Sequence, residues 1–168
     1  MAMLHPLTEN PVMQWDGNRA AVQWRCTVFD KLSVHTLYDI LRLRVDVFVV
    51  EQNCPYPEVD GEDQTALHIQ GYSAPGLMAY ARVLPPDEND HIWIGRVIVA
   101  QSARGYGLGA DLMRHAMSEA ETAYPGREQW LGAQVASRGF YEASGFEVSG
   151  EEYLEDDILH VPMRRCPI

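Results

Sequence analysis

Apolar residues recur at every second position in some stretches of the chain and at every third or fourth in others, and the two periods divide it into strands and helices. WRCTVF, Trp24 to Phe29, alternates and predicts a first strand. In SVHTLYDILRLRVDVFVVEQ the apolar positions Leu37, Ile40, Leu41, Val45 and Phe48 keep helical spacing behind Ser33, an N-cap type, so a helix is expected. NCPYPEVDGEDQ, Asn53 to Gln64, breaks that period with two prolines and an acidic run and reads as a long loop. ALHIQGY and LMAYARVL predict strands joined by a turn at Ser73 to Gly76. A second turn, Pro85 to Asp90, leads into HIWIGRVIVA, a strongly β-branched strand. A helix carrying Leu108, Leu112, Met113, Ala116 and Ala120 then runs to about Tyr124, stopped by Pro125 and Gly126. WLGAQV is a strand, and SRGFYEASG a short helix with Ser137 as N-cap and Gly145 just past its end. FEVSG and LHVPMRR close the sheet.

The order β-α-β-β-β-α-β-α-β-β predicts an α/β fold: a mixed central sheet of about six or seven strands with flanking helices, largely antiparallel in its first half. Residues 1–22 combine Pro6, Asn10, Pro11, Gly17 and Asn18 without a period, which predicts a flexible N-terminal extension before a single domain over 23–168.

Composition narrows the class without naming the chemistry. At 168 residues, 46% hydrophobic and 22% charged, the chain can bury one well-formed core. No apolar run approaches the roughly 20 residues of a membrane helix, and no signal-peptide pattern opens the chain. Cys26, Cys54 and Cys166 are odd in number, widely spaced and without a CxxC pair. That favours neither a disulfide framework nor a zinc site, and a reducing cytoplasm is the expected compartment. A net charge of −11 argues against sequence-independent nucleic-acid binding. It fits simple solubility and also a cationic substrate.

The candidate chemistry starts at ARGYGLGADLM, where Gly105, Gly107 and Gly109 alternate between a strand and a helix start. A helix N-terminus leaves backbone N–H groups unpaired at the positive end of its macrodipole, and glycines before it let an anion come close. The segment lacks the Gly-Lys-Ser/Thr ending of a P-loop, and its GxGxG spacing is not the dinucleotide GxGxxG.

Arg104-x-x-Gly107-x-Gly109 after IGRVIVA resembles the acyl-CoA-binding signature of the GNAT superfamily of N-acetyltransferases. FYEASGF, Phe140 to Phe146, is similar to that superfamily's short helix and following strand. LRLRVDVFVVEQNCPYPEVDGED, with His68 shortly after, resembles its ElaA-like subgroup, and the element order agrees from Trp24 to Arg165. The resemblance implies two central parallel strands that splay apart, here Ile92 to Val99 and Trp130 to Val135. Acetyl-CoA would lie in the gap, its pantetheine arm bonded to the backbone of Val97, Ile98 and Val99. Its pyrophosphate would rest on the N–H groups of Arg104, Gly105, Tyr106, Gly107, Leu108 and Gly109, where a side chain longer than hydrogen at the glycines would push the phosphates away. The implied activity is acetyl transfer to a primary amine by direct attack in a ternary complex. A small molecule or peptide would be the acceptor, with neither nucleic acid nor membrane as partner and a homodimer left open. An acyl-CoA-binding sensor without turnover is the alternative, and an adenine-nucleotide protein of another fold is a weaker one.

Tyr141 stands where the superfamily commonly places the tyrosine that assists the departing thiolate, while Phe140 is expected to pack beneath the helix. A strand N–H at Val97 or Ile98 is the expected oxyanion donor. For the proton of the amine, many members use a glutamate on the strand before the glycines, but this sequence has Trp93, Gly95 and Arg96 there. The candidate bases are Glu58, Asp60, Asp63 and His68, each also readable as a loop carboxylate or a satisfied histidine. Arg96, inside an apolar strand, is expected to anchor a carboxylate of that loop or of the substrate. Cys54 shows no oriented histidine that would make it a nucleophile.

Overall fold

The computed structural model describes residues 15–167. β1 (Gln23–Val28), β2 (Leu67–Ser73), β3 (Gly76–Val83) and β4 (Ile92–Val99) pair antiparallel in sequence order. β5 (Gln129–Gln134) then lies parallel to β4. β8 (Ile158–Arg165) is antiparallel to β5 and also pairs with two short strands, β6 (Glu147–Val148) and β7 (Tyr153–Glu155). The mixed α/β architecture is as expected, with eight strands.

Period-2 alternation sends the side chains of β3 to opposite faces, and each face is covered by a helix. Ala79, Ala81 and Val83 join Ile69, Ile92, Ile94 and Leu131 under α2 (Leu108–Ala123), which contributes Leu112, Met113, Ala116 and Ala120. Tyr80 and Ile98 meet Ile40 and Leu43 of α1 (Val34–Arg44) on the other face. Ser33 caps α1 by accepting from the Thr36 N–H, as its type foretold. Ser137 precedes α3 (Arg138–Glu142) but makes no such side-chain bond.

Three features depart from the sequence expectation. Past Arg44 the helix loosens into a π-helix, Val45–Glu51, which brings Val47, Phe48, Glu51 and Gln52 to one cleft wall. β7 was not expected because its residues are exposed and carry no apolar period; Asp156 (φ 48°) and Asp157 (φ 63°) form the two-residue turn joining it to β8. Residues 15–22 are not a loose extension. Trp15 and Val22 are buried against Met78, Ala103 and Leu108, and Arg19 forms a two-point ion pair with Asp111 of α2. The rest of the expected extension, residues 1–14, lies outside the described residues. No helix among the described residues is long and apolar enough to cross a membrane.

Candidate active site

β4 and β5 pair only at Ile92 with Gln129 and Trp93 with Trp130, and beyond those two pairs they separate. A β-bulge lies on the other edge of β4. Tyr80 faces Ile98 and Arg82 faces Gly95, so Arg96 and Val97 share the single residue Ala81. Arg96 has φ 53°, a left-handed conformation that a long side chain adopts only when its surroundings fix it. Here they do. Its guanidinium donates to Glu58 Oε1 (2.7 Å), the Glu58 carbonyl (3.1 Å) and Asp60 Oδ2 (3.0 Å). It also lies 5.9 Å from the ring centres of both Phe48 and Tyr56.

The separated strands enclose a cleft of about 470 Å³. Its walls include Phe48, Tyr56, Trp93, Val97 to Val99, Gln134 and Tyr141. Ala100 donates its N–H to Met78 of β3. Alternation therefore turns the backbone of Val99 away from β3 and into the cleft, where the Val99 carbonyl accepts from Arg104 Nε at 3.1 Å. Ile98 points its backbone toward β3 and its side chain into the α1 cluster.

The three glycines have different reasons to be there. Gly105 (φ 83°) and Gly107 (φ 82°) are required by left-handed backbone; Gly107 is the N-cap of α2 and makes no side-chain cap, so the first-turn N–H groups stay open. Gly109 is ordinary helix, but a Cβ there would stand 3.1 Å from the Phe140 ring. A side chain at 109 would crowd the Phe140 ring of α3, so packing between the two helices also favours glycine there. Tyr106 is half exposed and meets the edge of Trp15, with ring centres 4.9 Å apart. Leu108 is buried core. The Arg104 side chain turns from the loop to grip Glu51 at 2.6 and 2.9 Å. That hydrogen bond, with the arginine's charge, holds the Glu51 carboxyl below its ordinary value against the opposing effect of burial.

Tyr141 projects from α3 into the cleft between Phe140 and Phe146. Burial pushes its hydroxyl up to about 12, so it keeps its proton throughout the neutral range.

The expected base candidates are placed otherwise. Glu58, Asp60 and Asp63 interlock with Arg44, Arg82 and Arg96. Arg44, fully buried, donates to Glu58 Oε1 and Asp63 Oδ1, each at 2.7 Å. Arg82 donates to Asp63 at 2.9 Å and grips both oxygens of Asp60. Burial raises the Asp60 and Asp63 carboxyls, but their arginine hydrogen bonds outweigh it and hold both well below the usual range. His68 is fully buried. A carbonyl only accepts, so its Nε2 donates to Asp63 O (3.0 Å) and its Nδ1 accepts from Tyr80 Oη (2.9 Å). Burial depresses its protonation further. Neither ring nitrogen of His68 is free; Glu58 and His68 are buried behind the cleft wall, and the more exposed Asp60 is held by Arg82 and Arg96. They brace the bulge that shapes that wall.

Two signals for this network stood in the sequence. Arg44 in an amphipathic helix and Arg82 in LMAYARVL are charges inside apolar patterns, as Arg96 is. Glu155, Asp156 and His160 also line the cleft; the unpatterned EEYLEDD gave no signal for the two carboxylates, and His160 stood in the expected strand LHVPMRR without a motif to mark it.

The acetyltransferase (GNAT) domain family matches residues 51–166. The chain belongs to the GNAT acetyltransferase family. This GNAT protein is 42% identical over 147 residues to protein ElaA of Escherichia coli, across 86% of its own length and 96% of that protein. Among solved structures, an acyl-CoA N-acyltransferase from Pseudomonas aeruginosa superimposes with a TM-score of 0.83 at 41% identity, covering 86% of this chain and 99% of that one. Escherichia coli ElaA superimposes with a TM-score of 0.80 at 40% identity and the same coverage. The resemblance read from the glycine loop, FYEASGF and the acidic loop therefore holds over most of the chain. As a member of the family this GNAT protein is an acyl-CoA-dependent acyltransferase.

Proposed function

We propose that the donor is acetyl-CoA and that the acetyl group passes to the primary amine of a small molecule or peptide by direct attack in a ternary complex. One observation carries this reading: a protonated tyrosine and an unpaired strand edge face each other across one cleft, which is also lined by Arg104, three residues before the uncapped N-terminus of α2. The first-turn N–H groups of α2 hold the pyrophosphate, and the Val99 backbone holds the pantetheine arm. Ile98 shares the β3 ladder, which leaves Val97 of the expected pair as oxyanion donor; such a bond supplies about 3 kcal/mol. As the C–S bond breaks, Tyr141 donates a hydrogen bond to the sulfur. A CoA thiol resembles cysteine, at about 8.5. Tyr141 is therefore the weaker acid and steadies the thiolate without surrendering its proton.

Release of free thiol from acetyl-CoA, followed across polyamines, aminoglycosides, amino acids and N-terminal peptides, tests the reading. Turnover with a primary amine is the expected result. A protein whose melting temperature rises with CoA but which releases no thiol with any acceptor is a sensor instead. Tyr141→Phe should lower kcat by roughly 10- to 1000-fold with CoA affinity unchanged. An unchanged kcat reduces Tyr141 to packing.

A further inference from the structure

None of the braced carboxylates lines the cleft, although Glu58 Oε2 is buried without a hydrogen-bond partner, and the cleft wall opposite β4 offers an accessible acceptor for the proton of the incoming amine. His160 lies on β8 directly across from Gln134 of β5 and from Tyr153 of β7, so the three side chains share one sheet face. Both Gln134 and His160 line the cleft. Tyr153 stacks on the imidazole with ring centres 5.8 Å apart and planes 28° apart. The space for Tyr153 comes from Gly132, where a Cβ would stand 2.5 Å from the tyrosine oxygen. His160 Nδ1 lies 2.8 Å from the carbonyl of Ile158, two residues back. Since that oxygen only accepts, Nδ1 of the neutral ring carries the hydrogen and Nε2 presents its lone pair. Among the described residues Nε2 has no hydrogen-bond partner. This reverses His68, whose two nitrogens are both engaged.

Charge on the same rim favours a cation. Glu155 and Asp156 line the cleft beside His160, and the Asp156 carbonyl accepts from Cys54 Sγ at 3.4 Å, tying the hairpin tip to the segment after the π-helix. The facing charges are otherwise occupied. Arg96 and Arg82 are held by Glu58, Asp60 and Asp63, and Arg104 by Glu51. The remaining titratable groups around the cleft are Cys54 and the hydroxyls of Tyr56, Tyr141 and Tyr153.

We propose that His160 is the general base of this acyltransferase and that the Glu155–Asp156 rim draws a cationic amine to it. The inference rests on the proposed amine acceptor. His160 Nε2 takes one proton from the ammonium. The freed amine attacks the thioester carbonyl, the C–N bond forms and the C–S bond breaks. The second proton of the attacking nitrogen ends on the CoA sulfur, and the imidazolium returns its own to solvent. Atoms and charge balance without a further reactant.

The test is steady-state kinetics of wild type and His160→Ala with any amine that the wild type acetylates, across pH, with and without added imidazole. His160→Ala should lower kcat/KM for the amine by roughly 100- to 10,000-fold and lose the acid-side limb of the wild-type pH profile. Added imidazole should restore part of the rate, which a merely structural role would not allow. The rise in melting temperature caused by CoA should be unchanged and so report an intact fold. A variant that binds CoA and keeps the wild-type rate and pH limb overturns the assignment, as does one that imidazole fails to rescue. Wild type that acetylates no amine overturns instead the acceptor reading beneath it.

Discussion

Two acidic segments of this chain look alike in sequence and do opposite things. PEVDGED, residues 57–63, buries Glu58 and Asp63 and brings them, with the more exposed Asp60, into the reach of Arg44, Arg82 and Arg96. LEDD, residues 154–157, places Glu155 and Asp156 on the cleft rim at the tip of an exposed hairpin. The number of arginines within reach separates the two. Carboxylates that are neutralised and hydrogen-bonded in the interior become scaffold, here the brace that holds Arg96 at φ 53° and bends β4 away from β5. Carboxylates left on a wet rim keep their field for whatever enters.

The largest effect should come from breaking the buried side of that contrast. Arg44→Ala takes one of two arginines from each of Glu58 and Asp63, leaving Glu58 to Arg96 and Asp63 to Arg82, and removing one partner from a buried ion-pair network costs up to about 3–5 kcal/mol. In a domain of this size thermal unfolding should shift down by roughly 6–20 °C. A melting temperature within about 2 °C of wild type would mean the network is ornamental.

A matched pair of neutralisations sharpens the contrast at intermediate size. Glu58→Gln should cost about 1–3 kcal/mol, because a buried acceptor for two guanidinium groups loses its charge. Glu155→Gln should leave stability within about 0.5 kcal/mol and instead raise KM for a cationic amine a few-fold. Equal stability losses in denaturant titrations would erase the distinction.

The smallest effect is the acid limb of stability. Asp60 and Asp63 sit below their ordinary values in the fold, so the unfolded chain binds more protons than the native one in the window between the two values. Their contribution should be complete above the unfolded aspartate value of about 3.9 and fade as pH falls through the depressed folded values. Asp63→Asn should flatten that limb when unfolding free energy is followed from pH 6 downward; an unaltered limb would assign the acid sensitivity elsewhere.

Elements with a strong period were legible from the start: β1 to β5, α1 and α2 fall where Trp24, Ile40, Ile94 and Leu112 recur with the strand or helix repeat. The glycine stretch announced its helix start, although only Gly105 and Gly107 are there for their backbone. β7 was illegible because a hairpin exposed on both faces has no apolar alternation to show. Trp15 was hidden for another reason, since a single buried anchor sets no period.

The linear sequence by itself determined the strongly periodic elements and the glycine turn into α2, because those depend on local spacing and backbone conformation. Which of the histidines and carboxylates face the cleft was decided only by tertiary structure. His68 and His160 are 92 residues apart and chemically identical. What differs is the pairing register that gives one of them Tyr80 and the Asp63 carbonyl for both nitrogens, and gives the other a single carbonyl and an open cleft.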